Sequence, residues 1–367
     1  VVIRPSYVLG GRAMQIIHDD ASLKKYISEA VEVSGKNPLL IDSYLSGAIE
    51  VDVDALCDGK NIYIAGIMEH IEEAGIHSGD SACSLPPYSL SNKIIDEIEK
   101  QTKTLATALN VKGLMNVQFA IKDNEIYILE VNPRASRTVP FVAKSTGIPI
   151  AKIASRIMAN QNLMNFNLPI NKPYNEYKPK DHMSVKEAVF PFSRFPGSDI
   201  VLGPEMKSTG EVMGIDKSFS RAFAKSQLGA SITLPLKGGA FLSLKDNDKV
   251  EALPIAKKLN KIGFSLIATK GTADYLSRSG LEVKCVNKVR QGRPHCVDAM
   301  ISGDIQLVIN TTDGNQSLRD SFDIRRTALN RQICHYTTLS GAKAGVDSIE
   351  ALQDNDIEVF SLQSYFK

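Results

Sequence analysis

The chain has 367 residues, of which 43% are hydrophobic and 23% are charged, and its formal net charge is +2. This near-neutral balance gives no electrostatic case for nucleic acid or a membrane surface as a partner, and no apolar run reaches the ~18 residues that a membrane-spanning helix needs. The length allows two or three domains, each with a hydrophobic core of its own.

The first residues, Val-Val-Ile-Arg-Pro, include no initiator methionine and no signal peptide, and we expect the chain to be part of a longer protein. Residues 1–14 predict a strand, a turn at Gly10 and Gly11 and the start of a helix. Free N–H groups at such a turn can approach a phosphate, although a plain hairpin turn is the commoner interpretation. A helix is predicted over residues 20–34, with Asp20 as the candidate cap.

Acidic and apolar residues alternate after a short strand that is predicted from residue 38. This pattern predicts a second strand with its acids on one face and its apolar residues on the other. A row of acids is more often a solvated face than a site. A third strand is predicted at 62–67, then a polar loop at 68–83 and a helix at 90–109 that begins at Ser89 or Ser91. The alternating acids are Glu50, Asp52 and Asp54.

Two apolar runs, 115–121 and 126–131, flank four polar residues and predict an antiparallel hairpin. Alternate side chains of a strand share a face, so Gln118 can project from one strand and Glu130 and Asn132 from the other. Carboxylate and amide oxygens are the ligands that Mg²⁺ accepts beside phosphates. Arg134 and Arg137 follow, and guanidinium groups bind phosphate or carboxylate. The stretch therefore predicts a phosphoryl-transfer site, although a strand end with solvated arginines gives the same spacing.

A buried helix is predicted over 142–159, and residues 163–238 predict a connecting region with many Asn, Pro and Lys residues. From residue 239 strands alternate with helices, which predicts a parallel sheet of the Rossmann-like or flavodoxin-like type. The strands are predicted at 240–244, 264–269, 282–286, 306–311 and 332–336, and the helices near 249–261, 272–279, 295–302, 318–330 and 340–353.

Two predicted strand ends of this sheet carry hydroxyls and backbone N–H groups that are suited to an anion. Together with two lysines they would hold a nucleotide monophosphate, although such turns are also common as ordinary helix caps. The candidate residues are Lys249, Thr269, Thr272, Lys288, Asn310, Thr311 and Thr312.

The hairpin strings, Met-Asn-Val-Gln-Phe-Ala from residue 115 and Leu-Glu-Val-Asn-Pro-Arg-Ala-Ser-Arg-Thr-Val-Pro-Phe from residue 129, resemble the ATP-grasp metal site of carbamoyl phosphate synthetase large subunits. The resemblance covers essentially the whole chain and corresponds to roughly the final third of that subunit. It implies an α+β ATP-grasp portion at 1–162, truncated at its start, a connecting region at 163–238 and a methylglyoxal-synthase-like (MGS-like) allosteric domain at 239–367.

The resemblance also implies the chemistry, which is ATP-dependent phosphorylation of carbamate to carbamoyl phosphate for pyrimidine and arginine biosynthesis. The implied cofactors are ATP and Mg²⁺ or Mn²⁺, with K⁺ as a further candidate. The implied partners are the rest of the large subunit, a glutaminase small subunit, bicarbonate-derived carbamate, nucleotide monophosphate effectors and ornithine, without nucleic acid or membrane. Five scattered cysteines without C-x-x-C spacing fit reduced thiols in a cytoplasmic protein.

By the same resemblance, Gln118, Glu130 and Asn132 hold the metal, and Asn132, Arg134 and Arg137 serve catalysis. His77 would line the nucleotide, because phosphoryl transfer to an oxyanion has no proton for a base to remove. The implied nucleotide contacts are Arg4, Ser43, Leu45, Glu50, Gly75, Ile76, His77, Ser78, Gln118 and Glu130. The implied ornithine contacts are Glu72, Asp80, Glu187 and Thr337.

The sequence departs from the family pattern at 160–182 and at His335, where the family usually has a tyrosine, so the ornithine contacts are the less secure part. Two alternatives stay open. The chain could act as a nucleotide-binding regulatory module without catalysis, or as another ATP-grasp ligase such as a biotin carboxylase, which would leave the strand–helix tail unexplained.

Overall fold

The computed structural model describes residues 1–6, 13–17, 19–34, 38–194, 199–312 and 314–366. The predicted turn at Gly10 and Gly11 lies outside these residues. Within them, no helix combines the length and the apolar character needed to cross a membrane. Contacts divide the chain into two compact units. The MGS-side unit comprises Val1–Asp42, Val189–Gly210 and Gln227–Asp356, and the hairpin-side unit comprises Ser43–Ala188, Glu211–Ser226 and Ile357–Lys367.

The described residues of 1–42 form a small antiparallel sheet with one helix. The order of the strands is β2-β1-β3. The helix is capped by Asp19, whose side chain accepts from the backbone N–H of Ser22 at 2.7 Å, so the prediction of Asp20 as the cap was wrong. The elements are β1 (Val2–Pro5), β2 (Gln15–Ile16), α1 (Asp20–Ser34) and β3 (Leu39–Asp42).

The hairpin side is built on a seven-stranded sheet in which β4 is paired antiparallel with both β5 and β7. The full order of its strands is β10-β9-β6-β5-β4-β7-β8. The strands are β4 (Ile49–Asp58), β5 (Ile62–Glu73), β6 (Cys83–Leu85), β7 (Lys112–Lys122), β8 (Glu125–Asn132), β9 (Met183–Val189) and β10 (Gly210–Asp216).

Five helices accompany this sheet. The apolar side chains of β4 and β7, such as Val53 and Val117, share one core cluster with Ile95 and Ile98 of α2. Ser91 caps α2 by accepting from the N–H of Ile94, as one of the two predicted caps. The helices are α2 (Asn92–Ala108), α3 (Val139–Thr146), α4 (Ile150–Met158), α5 (Tyr174–Tyr177) and α6 (Phe219–Gly229).

The tail forms the predicted parallel sheet, with the order β13-β12-β11-β14-β15. The chain starts at the central strand and builds outward on both sides of it, which creates a switch point where sheets of this kind bind ligands. The strands are β11 (Gly238–Ser243), β12 (Phe264–Thr269), β13 (Val283–Val286), β14 (Leu307–Asn310) and β15 (Cys334–Tyr336). The helices are α7 (Lys249–Lys261), α8 (Lys270–Arg278), α9 (Cys296–Ile301), α10 (Gly314–Asp320), α11 (Phe322–Asn330) and α12 (Leu339–Asp354).

Four local predictions were wrong. No helix begins at residues 13–14, because Ala13 has a φ of 57° and the chain then pairs with β1. The loop predicted at 68–83 is strand as far as Glu73. The helix predicted at 142–159 is broken at Gly147, which has a φ of 72° and caps α3. The helix predicted at 318–330 is two helices, α10 and α11.

Candidate active site

The β7–β8 hairpin fixes the register of the predicted metal ligands. Its turn places Asp123 and Asn124 at φ values of 52° and 64°, the left-handed conformation that a tight hairpin turn requires. The pairing that follows sets Gln118 opposite Glu130 and Asn116 opposite Asn132. The turn alone would set Gln118 opposite Leu129, but a register shift between Gln118 and Phe119 moves the pairing by one residue. Antiparallel partners share a face of the sheet, so this shift, and not the turn, brings the side chains of Gln118 and Glu130 together.

The oxygen atoms of the three predicted ligands lie on this face. The Nδ2 atom of Asn132 donates to Oε1 of Glu130 at 2.8 Å, and Nε2 of Gln118 donates to Oγ of Ser78 at 2.9 Å. The amide nitrogen of each residue thus donates to a neighbouring side chain, and the amide oxygen remains as the metal-ligand atom. Glu130 is exposed, so its carboxylate is accessible. One carboxylate and two amide oxygens form a hard donor set that fits Mg²⁺ when phosphates supply further oxygens.

The two arginines stand on residues 133–138, the segment between β8 and α3, which we call the arginine segment. Both Arg134 and Arg137 are exposed. The Nη2 atom of Arg134 donates to Oδ1 of Asn132 at 3.3 Å, so one guanidinium borders the metal-ligand face. Positive forks beside an oxygen donor set can neutralise a transferring phosphoryl group.

The acid row of β4 is buried, contrary to the expectation of a solvated face. The relative exposures are 8% for Glu50, 3% for Asp52 and 1% for Asp54. The alternation was predicted correctly, but β4 is an interior strand of its sheet, and polar side chains of β5 and β7 cover the acid face. A buried carboxylate is costly unless a hydrogen-bond donor or a positive charge lies beside it. His70 and Asn116 are such neighbours of Asp52.

His70 on β5 lies between two of these acids. Its Nε2 atom is 2.9 Å from Oδ2 of Asp52, and its Nδ1 atom is 3.5 Å from Oε2 of Glu50. Burial lowers the pKa of His70, but the hydrogen bond and charge of Asp52 and the charge of Glu50 outweigh it, so the pKa is raised. Among the described residues, neither Oε2 of Glu50 nor Nδ1 of His70 has a hydrogen-bond partner. These two unpartnered atoms face each other within the buried acid row.

Asp54 anchors the arginine segment. Its carboxylate accepts from Oγ of Ser136 at 2.7 Å, from Oγ1 of Thr138 at 2.6 Å and from Nδ2 of Asn116 at 3.0 Å. Both carboxylate oxygens are used. These contacts tie the segment that carries the arginines to the centre of the sheet.

The residues predicted to line the nucleotide form the loop after β5. His77 accepts from the N–H of Gly79 through Nδ1 at 3.0 Å, which fixes the other ring nitrogen as the donor in the neutral imidazole. Burial lowers the pKa of His77, so the neutral ring is favoured. Gly75 has a φ of 105° and makes the turn possible. Gly75, Ile76, His77 and Ser78 are all half-buried.

Leu45 packs on a small apolar cluster of three alanines, Ala48, Ala74 and Ala120. Ala120 is the register partner of Glu50, so this apolar cluster directly adjoins the acid face. Ser43, the other predicted hinge residue, is exposed. Arg4 belongs to the MGS-side unit, where its Nε atom is 4.0 Å from Oδ2 of Asp42.

The predicted ornithine carboxylates lie around β5 and β9. Oε2 of Glu72 accepts from Oγ of Ser81 and from the N–H of Ala82, both at 2.7 Å, so this carboxylate already stabilises the loop. Asp80 and Glu187 are buried, at 1% and 7% exposure. Thr337 follows β15 in the other unit and is half-buried.

The parallel sheet brings most of its predicted effector residues to one edge. Thr272 and Thr311 accept from the N–H groups of Leu244 and Lys245 at 3.2 and 3.1 Å, and so shape the loop after β11. The Oδ1 atom of Asn310 is buried and has no hydrogen-bond partner among the described residues.

The side chain of Lys249 reaches the start of α8. Its Nζ atom would be 3.3 Å from a Cβ added to Gly271, which is in the first turn of that helix. Thr269 is buried, Thr312 is half-buried and Lys288 is exposed. An ammonium group, helix N–H groups and an unpartnered amide oxygen together suit a phosphorylated, hydrogen-bonding ligand.

Sequence reasoning missed several polar residues at the hairpin site: Asp52, Asp54, His70, Asn116, Ser136, Thr138 and Lys186. Lys186 is 1% exposed and donates to the backbone oxygen of Ser78 at 3.1 Å. Its position inside the apolar pattern of β9 was the one available signal. The others depend on which strands are neighbours, which periodicity alone does not reveal.

Comparison with known families assigns both parts of the chain. Residues 1–166 match the carbamoyl-phosphate synthase L chain, ATP binding domain, and residues 251–337 match the MGS-like domain. The chain is 55% identical to the carbamoyl phosphate synthase large chain of Rhizobium meliloti, with 100% of this chain and 33% of that one covered. The large chain of Archaeoglobus fulgidus is 52% identical, with coverages of 100% and 34%. The chain thus spans about a third of the length of these relatives.

Among solved structures, the biotin carboxylase–βγ-ATP complex from Campylobacter jejuni has a TM-score of 0.48 and 15% identity, with 62% of this chain and 56% of that chain covered. A likeness of that size carries no functional argument.

Proposed function

We propose that this chain, which belongs to the family of carbamoyl phosphate synthase large chains, transfers the γ-phosphoryl group of ATP to carbamate as part of a larger enzyme. The observation that supports this most directly is the register of the β7–β8 hairpin, which sets Gln118 opposite Glu130 and leaves Asn132 bonded to Glu130. The arginine segment continues from the same strand. A metal-ligand set and two guanidinium groups then meet at one end of the sheet.

In the proposed reaction a carbamate oxygen attacks the γ-phosphorus, and the bond from that phosphorus to the β,γ-bridging oxygen breaks. The products are carbamoyl phosphate and ADP. Gln118, Glu130 and Asn132 would hold Mg²⁺ or Mn²⁺, which when bound neutralises the charge of the β- and γ-phosphates. Arg134 and Arg137 would bind carbamate and the transferring group and stabilise the charge that develops between them.

The nucleotide would lie between the loop after β5 and the apolar cluster under Leu45. Ser43 and Leu45 would contact the adenine, and Glu50 would contact the ribose. Gly75, Ile76, His77 and Ser78 would border the nucleotide. The ATP contact of Arg4, which belongs to the other compact unit, stays a prediction. K⁺ is a further candidate cation.

The proposed whole enzyme contains the rest of the large chain, which makes carbamate, and a small subunit that hydrolyses glutamine to supply ammonia. Carbamoyl phosphate would serve pyrimidine and arginine biosynthesis. Ornithine would bind at Glu72, Asp80 and Glu187. The role of Thr337, which belongs to the other compact unit, stays a prediction. All five cysteines are free thiols, which supports a cytoplasmic location.

The proposal is tested by Glu130→Ala in a protein of the relatives' full length that carries this chain. The variant removes the only carboxylate among the three proposed ligands, so we expect carbamoyl phosphate synthesis to fall by ~100-fold or more. Glu130 is exposed, so the thermal unfolding temperature should stay unchanged. The matched control is Glu125→Ala, an exposed glutamate of the same strand, which should retain activity. Normal output of carbamoyl phosphate from Glu130→Ala would refute the metal assignment.

A second function, effector binding by the MGS-like part, is favoured by the unpartnered Oδ1 atom of Asn310 and by the place of Lys249 beside α8. Lys249, Thr269, Thr272, Lys288, Asn310, Thr311 and Thr312 would bind a nucleotide monophosphate, with Lys249 contacting the phosphate.

Titration calorimetry of this chain with uridine monophosphate and with Mg-ATP separates the two functions. Lys249→Ala should weaken uridine monophosphate binding by about tenfold, since a phosphate contact is worth on the order of 1–2 kcal/mol. Lys257→Ala, which changes an exposed lysine of the same helix, should leave the affinity unchanged. Effector binding without Mg-ATP binding would favour the regulatory module. Equal losses in the two variants would contradict the effector site.

A further inference from the structure

We infer that Asp54 is a positioning residue for phosphoryl transfer, which holds the arginine segment in place through the hydroxyl groups of Ser136 and Thr138. This inference rests on the proposed function for its catalytic consequence. Asp54 is on the third strand from one edge of the sheet, and the proposed metal ligands lie on the two strands beyond it.

The two hydroxyl anchors flank one arginine. Ser136 and Thr138 are the immediate neighbours of Arg137, and each donates to a different oxygen of the Asp54 carboxylate, at 2.7 and 2.6 Å. The two hydroxyl oxygens are also 2.7 Å apart, so both lie at the same carboxylate. The backbone at Arg137 is therefore fixed on both sides, while its side chain remains exposed. Such an arrangement immobilises the backbone from which the guanidinium projects.

The carboxylate itself is costly to bury. Asp54 is 1% exposed, and a buried carboxylate without donors would be strongly destabilising. Three donors satisfy it, and two of them come from a segment that is otherwise mostly exposed. The hydrogen bonds of this buried carboxylate therefore join the exposed segment to the centre of the sheet.

Thr138 has a hydroxyl group that its own helix does not use. It is the N-cap residue of α3, but its side chain makes no cap hydrogen bond. Its backbone is already helical, with φ −74° and ψ −14°, and Pro140 at the second helical position has no N–H to donate. The hydroxyl of Thr138 is therefore available to Asp54.

The same network reaches the metal-ligand strands. Nδ2 of Asn116 is 3.0 Å from Oδ1 of Asp54 and 3.2 Å from Oδ1 of Asp52, so the amide joins two buried acids. Asn116 precedes Gln118 by two residues on β7 and pairs with Asn132 on β8. One carboxylate thus sets the distance between the arginine segment and the proposed metal ligands. A misplacement of ~1 Å at such a site can cost ~100-fold in rate.

The test uses Thr138→Val, which keeps the shape of the side chain and removes its hydroxyl, and Thr138→Ser, which restores the hydroxyl. Ser136→Ala is the second variant should Thr138→Val fold poorly. The matched control is Ser145→Ala, which removes another buried hydroxyl of the same unit, bonded to Oγ of Ser184 at 2.8 Å. The measurements are kcat and KM for ATP in the full-length enzyme, and amide hydrogen exchange of residues 133–142 in this chain.

We expect Thr138→Val to lower kcat by tenfold or more, to leave KM for ATP within about twofold, and to accelerate exchange in the arginine segment. Thr138→Ser should recover most of the activity, and Ser145→Ala should change neither kcat nor this exchange. Unaltered exchange in both Thr138→Val and Ser136→Ala would overturn the inference, as would an equal loss of kcat in Ser145→Ala. An unmodified enzyme that makes no carbamoyl phosphate would defeat the proposed function, whereas the exchange result would still decide whether Asp54 holds the segment.

Discussion

The three acids of β4 are all buried, but their pKa values differ because their partners differ. Burial raises the pKa of Glu50 to about 7 and that of Asp54 to about 6. Burial acts on Asp52 in the same direction, but hydrogen bonds from His70 and Asn116 and the charge of His70 outweigh it, and its pKa is lowered. At neutral pH Asp52 is therefore the charged partner of His70, and Glu50 is partly protonated. A partly protonated carboxyl can donate to or accept from a ribose hydroxyl.

The raised pKa of Asp54 predicts a pH dependence of stability. The folded pKa of about 6 lies above the ordinary value of 3.8, so the folded state holds a proton that the unfolded state loses first. The contribution of Asp54 to the free energy of unfolding should therefore fall as the pH rises from about 4 to about 6, by ~3 kcal/mol in total, and level off above pH 6.

Chemical denaturation of this chain and of Asp54→Asn at several pH values isolates that contribution. The asparagine does not titrate, so the stability advantage of the unmodified chain should shrink across this pH window. Glu50 titrates in both proteins and cancels in the difference. A difference that stays constant from pH 4 to pH 7 would contradict the shift.

At the residue scale, the sequence was sufficient for side chains that share one strand. The two-residue period placed Glu130 and Asn132 on the same face of β8, but their alignment with Gln118 depends on a register shift between Gln118 and Phe119 that the sequence pattern did not reveal. Their roles stay a prediction. His70 and Asp54 could not be recognised, because their function depends on neighbours that are 18 and 62 or more positions away in the chain.

At the element scale, the contact between β10 and α6 depends on one glycine. A Cβ added at Gly214 would overlap the backbone oxygen of Ala222 and the backbone nitrogen of Ser226. Backbone atoms cannot move aside as a flexible side chain does, so the strand and the helix would have to separate. Gly210, on the same strand, has no atom within 4 Å of an added Cβ.

Gly214→Ala should therefore destabilise the protein by ~1–3 kcal/mol, as overpacked sites do. Gly210→Ala should be neutral or slightly stabilising, because glycine within a strand costs ~0.5–1 kcal/mol relative to alanine. Thermal unfolding of the two variants measures the contrast. Equal unfolding temperatures would show that the strand and helix can separate at no cost.

Elements with strong local signals were predicted well, and those shaped by distant contacts were not. The strand at Phe264–Thr269 and the helix at Lys249–Lys261 have the predicted bounds. Strand β5 continues through His70 and Glu72, whose polar side chains face a buried site. Because polar residues are also typical of loops, the sequence pattern of this stretch was interpreted as a loop. The break at Gly147 was signalled by glycine and proline, but the apolar residues on both sides suggested one continuous helix.

At the scale of the whole molecule, neither compact unit is a continuous stretch of sequence. Val189–Gly210 belongs to the MGS-side unit, although its flanking residues are in strands of the other sheet. Ile357–Lys367 follows the last helix of the MGS side and is grouped with the hairpin side. Tyr365 there donates to the backbone oxygen of Ile215 at 3.3 Å. The periodicity of a sequence reflects only residues that are near in the chain, so it could not predict that these segments group with a different unit. Our domain boundaries at 162 and 238 stay a prediction.

An ion pair within the MGS-side unit fastens one of these segments. Nε of Arg325 on α11 donates to Oδ1 of Asp199 at 2.7 Å, and Nη2 donates to Oδ2. The side chain of Arg325 is 2% exposed, and that of Asp199 is 32% exposed. Nη1 of Arg325 has no hydrogen-bond partner among the described residues. Removing Asp199 would leave a buried cation with little compensation.

We therefore expect Asp199→Ala to lower the free energy of unfolding by ~3–5 kcal/mol at neutral pH, the usual cost of breaking a buried pair. The matched control is Asp320→Ala, whose acid is 33% exposed but whose partner Arg290 is 67% exposed. That variant should lose no more than ~1 kcal/mol. Chemical denaturation measures both losses, and a similar loss in the two variants would rule out the burial of Arg325 as the cause.

The pH dependence of the Asp199 pair provides a second check with the opposite sign to that of Asp54. Burial raises the pKa of Asp199, but the hydrogen bond and charge of Arg325 outweigh burial, so the pKa is lowered. The stabilisation is then complete above the unfolded pKa of about 4 and is lost as the pH falls through the lower folded pKa. The difference between the unmodified chain and Asp199→Ala should shrink in acid and stay constant from pH 5 to pH 8. A difference that grows in acid would mean that the carboxylate does not act through its charge.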